Sequence, residues 1–167
     1  KKKINILEFI KYSPSYNSIH QIYKEHKDYK ECEEYKIKAE LILNGKKSGR
    51  GESLAELNDY FNSLDKLKIS LKQFGYKSQL ELNNNSKKYD EIGVVIGGNS
   101  EVIKLEDKFG GTHRFALCKL LEIKKIIVSV KAIHKSLLEK NDIKKIISSQ
   151  DKGYIISLLQ NKIKIKK

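Results

Sequence analysis

The sequence predicts a small α/β (α+β) domain in which a short mixed sheet is flanked by helices. Three observations carry this. Apolar residues recur at helical spacing through residues 16–43 and 53–74. The run Ile92-Gly93-Val94-Val95-Ile96 reads as a buried strand, and Gly97-Gly98-Asn99-Ser100 after it reads as a hairpin turn. An apolar-faced helix over 113–121 then gives way to a strand from Ile126 to Val130, continuing towards His134.

Taken in order, residues 4–12 are an apolar opening, strand or short helix, broken by Ser13-Pro14-Ser15. Two helices are expected over 16–43, interrupted near Tyr29. His20 and His26 are six apart, off any shared helical face, so no metal site is expected there. The segment from Asn44 to Gly51 holds three glycines and three basic residues. Its glycine spacing is not that of a phosphate-binding P-loop. It reads as a surface turn or as a basic flap, with Lys47 and Arg50, over a phosphorylated ligand. Ser53 and Glu56 fit a capping box. The helix they open runs through Leu57, Tyr60, Phe61 and Leu64, and a second helical segment from Leu67 to Phe74 stops at Gly75. Leu80-Glu81-Leu82 reads as a short strand before the polar turn at 83–86. Residues 102–105 pair with the 92–96 strand. Two further amphipathic helices are expected in the tail, around Ile143 to Ile147 and Ile155 to Ile163. The expected division is a helical N-terminal extension (1–52), a core (53–134) and a C-terminal helical arm (135–167) packed on the same domain.

A chain of 167 residues with 39% apolar content suits one domain with a real core. No apolar run reaches the length of a membrane span, and no signal-peptide pattern is visible. Cys32 and Cys118 lie in unrelated patterns, which suggests reduced thiols and a cytoplasmic location. The net charge of +13 makes DNA a conceivable partner. It is not the favoured one, because only two of the 34 basic residues are arginines and a lysine excess spreads over solvated faces. Those two, Arg50 and Arg114, both sit in glycine-rich segments, where a guanidinium fork can grip phosphate bidentately.

The stretch Lys108-Phe109-Gly110-Gly111-Thr112-His113-Arg114 is where residue type, spacing and local structure converge on chemistry. Two glycines at a helix start let an anion approach unpaired backbone N–H groups, and the helix dipole favours it there. His113 and Arg114 add side-chain donors. The plain alternative is a glycine-cornered turn whose arginine pairs with a carboxylate at the edge of the core.

These residues, from Phe109 to Ala116, resemble the Phe-Gly-Gly-Cys-His-Arg signature of sulfiredoxin and the Gly-x-His/Arg-Arg box of ParB-type domains. The helix and the strand up to Val130 are similar to those that follow the family's box, with Ile127 where proline is usual. Upstream, Ser70 to Leu82 is similar to the family's first box, with Gln79 in place of a proline. The likeness covers about residues 53–134. It implies a ParB/sulfiredoxin-like core that binds nucleotide phosphates, as sulfiredoxins, free serine kinases and CTP-binding partition proteins do. By that resemblance Gly110, Gly111, His113 and Arg114 hold phosphate, and Thr112 adds a hydroxyl or an N–H. Thr112 stands where sulfiredoxin carries its cysteine, and a hydroxyl cannot serve as that thiolate. Sulfinic-acid reduction is therefore not expected. The 33 residues after His134 are too few for a helix-turn-helix region plus a dimerisation segment, so centromere binding is not expected either.

The leading expectation is an ATP- or ADP-dependent phosphotransferase or NTPase, with CTP as a further candidate nucleotide, magnesium as cofactor and an unidentified small molecule as acceptor. Phosphoryl transfer needs positioned phosphates and charge neutralisation more than a special nucleophile. Glu52, Glu56, Asp90, Glu91 and Asp107 are the carboxylates from which a base or magnesium ligand can come. Asp107 and Glu91 are singled out, and His134 is placed at the edge of the site. The competing expectation is a nucleotide- or DNA-binding module without turnover.

Overall fold

Ser13 does more than break the apolar segment before it: it caps the first helix. Its extended backbone lets Oγ accept from the Tyr16 N–H at 3.3 Å, and Pro14 occupies the first turn, where its missing N–H costs nothing. The computed structural model describes residues 13–82, 90–99, 101–104 and 110–137. The apolar opening at 4–12, Leu105, Asp107 and the two tail helices lie outside them.

The helices are α1 (Pro14–Tyr23), α2 (Glu33–Leu43), α3 (Leu54–Phe74) and α4 (Thr112–Leu120), with a 3-10 turn at Tyr29–Glu31 before α2 and another at Lys135–Leu137. Ser53 caps α3, its Oγ accepting from the Glu56 N–H at 3.2 Å. The Glu56 carboxylate returns to the N–H of Glu52, one residue before the cap. α3 is one continuous helix of 21 residues rather than two segments. Leu57, Phe61, Leu64 and Leu71 are all buried on one face, so no break is needed between Leu64 and Leu67. Gly75 ends the helix with a positive φ of 69°, which a glycine adopts without strain.

Residues 79–82 form a turn, not the expected strand. The Glu81 carboxylate accepts from the Ser78 N–H at 2.7 Å and from its hydroxyl at 2.8 Å. These local bonds outcompete a sheet ladder that two alternating leucines alone could not sustain.

The sheet has three strands, β1 (Ile92–Ile96), β2 (Val102–Ile103) and β3 (Val128–Ile133), in the order β2-β1-β3. β1 pairs antiparallel with β2 across the glycine turn. It pairs parallel with β3, from Ile92 opposite Val128 to Ile96 opposite Ile133, with an irregularity between Val94 and Val95. Parallel neighbours require a crossover, and α4 lies in it. The result is the small mixed sheet with helices that the sequence predicts.

The helical core brings Ile19 of α1 together with Leu57, Phe61, Leu64 and Leu71 of α3 and Ala116, Leu117 and Cys118 of α4. Each fully buried Leu or Ile contributes about 1.5–3 kcal/mol. Tyr29 stacks on Phe61 at 5.4 Å between ring centroids, and Tyr35 meets both rings edge-on. Residues 13–52 therefore share the core of the box-bearing part of the chain. Among the described residues no helix is long and apolar enough to cross a membrane.

Candidate functional site

The glycine pair sets the site by letting α4 begin directly against the sheet. Gly110 and Gly111 have φ of 73° and 75°. A Cβ at Gly111 would lie 2.8 Å from the Ile92 Cα and 3.0 Å from its Cγ1. Only a residue without a side chain fits between the helix start and β1. The Gly110 carbonyl accepts from the Gly93 N–H at 3.4 Å, which ties the turn to the same strand.

Gly111 is the N-cap of α4 and offers no side-chain acceptor. The first bond of the helix runs from the Phe115 N–H to the Gly111 carbonyl at 2.8 Å. The N–H groups of Thr112, His113 and Arg114 thus have no acceptor within the helix, and the helix dipole makes this end electropositive. These three residues line a cavity of about 430 Å³ that is also bordered by Gly110, Gly111, Asp90, Gln79, and Tyr60, Ser63 and Leu64 of α3. Arg50 closes another side of it, its guanidinium 5.0 Å from the centre of the Tyr60 ring.

Three buried polar atoms of cavity-lining residues have no hydrogen-bond partner among the described residues: Arg50 Nε, Thr112 Oγ1 and Arg114 Nη1. Arg50 Nε lies 3.5 Å from Glu34 Oε1, close enough for charge attraction without a hydrogen bond. The Arg114 Nη2 donates to the Asp90 carbonyl and sits 3.4 Å from the Asp90 carboxylate, which is more than half exposed. Buried polar groups are normally satisfied, so orphaned donors around one cavity fit a ligand that accepts hydrogen bonds there.

The ring of His113 does not reach out to that ligand as the sequence suggests. It is 4% exposed, and both nitrogens are engaged inward. Nε2 lies 2.7 Å from Glu34 Oε2 and Nδ1 lies 2.9 Å from the Tyr60 hydroxyl. Positions 113, 116 and 117 share the face of α4 that packs on the other helices, whereas Arg114, a further 100° round the helix, faces the start of β1. The phosphate donor expected at 113 is therefore its backbone N–H alone.

Glu34 is the residue that sequence reasoning missed. It stands in the first turn of α2, is 1% exposed, and also accepts from the Ser15 hydroxyl at 2.7 Å. Burial alone would raise its pKa. The hydrogen bond and charge of His113, the Ser15 hydroxyl and Arg50 outweigh that and bring it below the usual glutamate value. An ionised Glu34 can only accept, so His113 Nε2 carries the proton, and in a neutral ring Nδ1 accepts from Tyr60. The one available signal was an acidic residue in the first turn of a weakly amphipathic helix, and that is ordinary on any surface helix.

The remaining expectations divide. Arg50 joins the box at the cavity. Lys47 is exposed and does not line it. The 44–51 loop is folded on itself, with the buried Ser48 donating to the Gly51 carbonyl at 2.6 Å and accepting from the Arg50 N–H at 3.1 Å. Glu91 is not a free catalytic carboxylate. It is buried, accepts from the Tyr76 hydroxyl and from the Gln79 N–H, and so straps the 76–79 segment to β1. Burial and that bond hold the Tyr76 phenol well above the usual tyrosine range. His134 is not at the edge of the site. Its N–H donates to the Ile96 carbonyl at 2.8 Å and its ring bonds Ser136, at the opposite end of β1 from the box. That end is roughly 13 Å away along the strand. Asp107 lies outside the described residues.

Asp90 is the one carboxylate among the described residues on the cavity wall. No cluster of three or more metal-ligating side chains occurs among the described residues. Magnesium needs only one or two carboxylates from a protein, and Asp90 is the residue on this wall that could hold it. Cys32 and Cys118 are free and buried, and burial pushes the Cys118 thiol up to about 11. Neither is a nucleophile for this cavity. Comparison with known proteins finds no matching family model, no matching curated protein and no matching solved structure.

Proposed function

We propose that this chain binds the phosphates of a nucleotide in the cavity at the start of α4 and is a nucleotide-dependent phosphotransferase acting on a small molecule. The observation that carries the binding half is the set of orphaned polar atoms, Arg50 Nε, Thr112 Oγ1 and Arg114 Nη1, around the unpaired N–H groups of a glycine-capped helix. Phosphate oxygens accept from all of them, and two guanidinium groups plus a helix N-terminus neutralise its charge. A cavity of about 430 Å³ has room for a di- or triphosphate with part of its sugar.

The transfer half rests on the ParB/sulfiredoxin-like resemblance of the 109–116 box and on Asp90. The Asp90 carboxylate is positioned to bring magnesium to the phosphates or to take a proton from an acceptor hydroxyl. ATP or ADP is the favoured nucleotide, with CTP next. The buried free thiols fit a cytoplasmic protein.

A binding module without turnover is the second reading. It is favoured by the engagement of Glu91 with Tyr76 and Gln79, which leaves Asp90 as the one carboxylate lining the cavity among the described residues. Calorimetric titration with ATP, ADP and CTP, with and without magnesium, tests both readings. Binding of at least one nucleotide is expected, and absence of binding to all three refutes both. Transfer of label from γ-labelled ATP to a panel of hydroxylated metabolites or to water separates the enzyme from the module. DNA binding, if it stems from the lysine excess alone, is sequence-blind and disappears at physiological salt.

A further inference from the structure

The hydrogen-bonded chain behind the cavity has the order of a catalytic triad. The Tyr60 hydroxyl lies 2.9 Å from His113 Nδ1, and His113 Nε2 lies 2.7 Å from Glu34 Oε2. Glu34 is fully buried and is held in turn by the Ser15 hydroxyl, so it orients the imidazole as a fixed carboxylate. A hydroxyl, a base within hydrogen-bond reach of it, and a third group orienting that base are the arrangement that activates a nucleophile. Three different parts of the fold supply it: α2, α3 and the first turn of α4. Tyr60 borders the same cavity as Arg114 and Thr112, and the Arg50 guanidinium lies 5.0 Å from the centre of its ring.

We propose that Tyr60 is a phosphoryl-accepting nucleophile, activated by His113 and Glu34, so that the reaction passes through a phosphotyrosyl protein. This rests on the nucleotide-phosphate reading of the cavity. In the first step Tyr60 Oη forms a bond to the terminal phosphorus of the nucleotide. The bond from that phosphorus to the bridging oxygen breaks, and the nucleoside diphosphate leaves with its electron pair. The phenolic proton passes to His113 Nδ1, and the imidazolium is stabilised by Glu34. In the second step an acceptor hydroxyl or water attacks the same phosphorus and becomes the phosphate ester or inorganic phosphate. Its proton is lost to solvent, the Tyr60–phosphorus bond breaks, and the imidazolium returns its proton to Tyr60 Oη. The protein ends unchanged and no oxidant or reductant is involved. Glu34 acts through His113 and is a positioning residue.

The test incubates the full chain with γ-labelled ATP and magnesium, quenches in acid from milliseconds to an hour, and maps label by tandem mass spectrometry. ADP binding is measured calorimetrically on the same preparations. The expected result is acid-stable label on Tyr60, absent from Tyr60→Phe, which keeps the ring and its contact with Arg50. Glu34→Gln is expected to slow labelling about a hundredfold or more while still binding ADP. It should also shift the pH profile of labelling, which a merely structural role would leave unmoved. A chain that binds ADP but carries no label at Tyr60 at any time overturns the nucleophile and leaves the phosphate site standing. Acid-labile label, the mark of a phosphorylated histidine, or label on Thr112 also overturns it. Failure to bind ADP or ATP at all overturns this proposal together with the reading on which it rests.

Discussion

Replacing Gly111 by alanine isolates the close approach that creates the site. Two costs add at this position. The first is backbone strain: φ is 75°, and a left-handed conformation costs an L-residue with a side chain roughly 1–2 kcal/mol. The second is overlap, because the new Cβ would lie 2.8 Å from the Ile92 Cα and 3.0 Å from its Cγ1. Ile92 is fully buried at the centre of the sheet, so it cannot yield freely, and such overpacking costs about 1–3 kcal/mol. The sum is about 2–5 kcal/mol, a large share of the roughly 5–15 kcal/mol that stabilises a typical domain. Gly49 is the internal control: its φ is 74°, but a Cβ there would meet nothing within 4 Å. Gly49→Ala should therefore cost only the strain. In urea unfolding, with a slope of about 1–3 kcal/mol per molar, Gly111→Ala should lower the midpoint by about 1.5 to 4 times as much as Gly49→Ala. Equal shifts for the two would refute the claim that α4 starts in contact with β1.

Other consequences follow from the same geometry. Arg114→Ala should weaken ADP binding about 10- to 100-fold by calorimetry, the value of one or two charge-assisted hydrogen bonds, and unchanged affinity would remove Arg114 from the site. Asp90→Asn should tighten ADP binding without magnesium, because it removes a carboxylate competing for Arg114 at 3.4 Å, and should weaken or abolish any gain that magnesium brings. Weaker binding in both conditions would show that Asp90 does not face the ligand. The depressed pKa of Glu34 gives a stability contribution that is full above its ordinary value of 4.5 and is lost as pH falls through the lower folded value. Unfolding midpoints should fall more steeply below pH 4.5 for the natural chain than for Glu34→Gln, and parallel curves would contradict an ionised, paired Glu34.

Much of the fold was legible because its signals are local. Ser53 and Glu56 announce the start of α3, Gly75 its end, and the valine-rich run at 92–96 could hardly be anything but a buried strand. Where local signals were weak the reading failed. Two leucines at 80 and 82 suggested a strand, but Ser78 and Glu81 close a turn first. The gap between Leu64 and Leu67 looked like a break, although its charged residues simply occupy the exposed side of one long helix. The turn into α4 was legible because paired glycines mark a tight corner at a helix start. Its partners were not. Arg50 was flagged by type, but Glu34 and Tyr60 meet His113 across 79 and 53 residues of sequence. No periodicity encodes a contact of that range. His134 was assigned to the edge of the site as the residue ending the last core strand, and Glu91 by its type. The sheet register carries the first to the far end of β1, and the bonds to Tyr76 and Gln79 engage the second.

A phosphate grip at the start of α4 is what the proposed function requires first. A crystal structure of the full chain with ADP and magnesium tests it most directly. The expected result is a phosphate within hydrogen-bond distance of the Thr112 and His113 N–H groups, with Arg114 and Arg50 turned onto its oxygens and the His113 ring still bonded to Glu34. ADP bound elsewhere on the chain, with Arg50 Nε and Arg114 Nη1 still unpartnered, would contradict it.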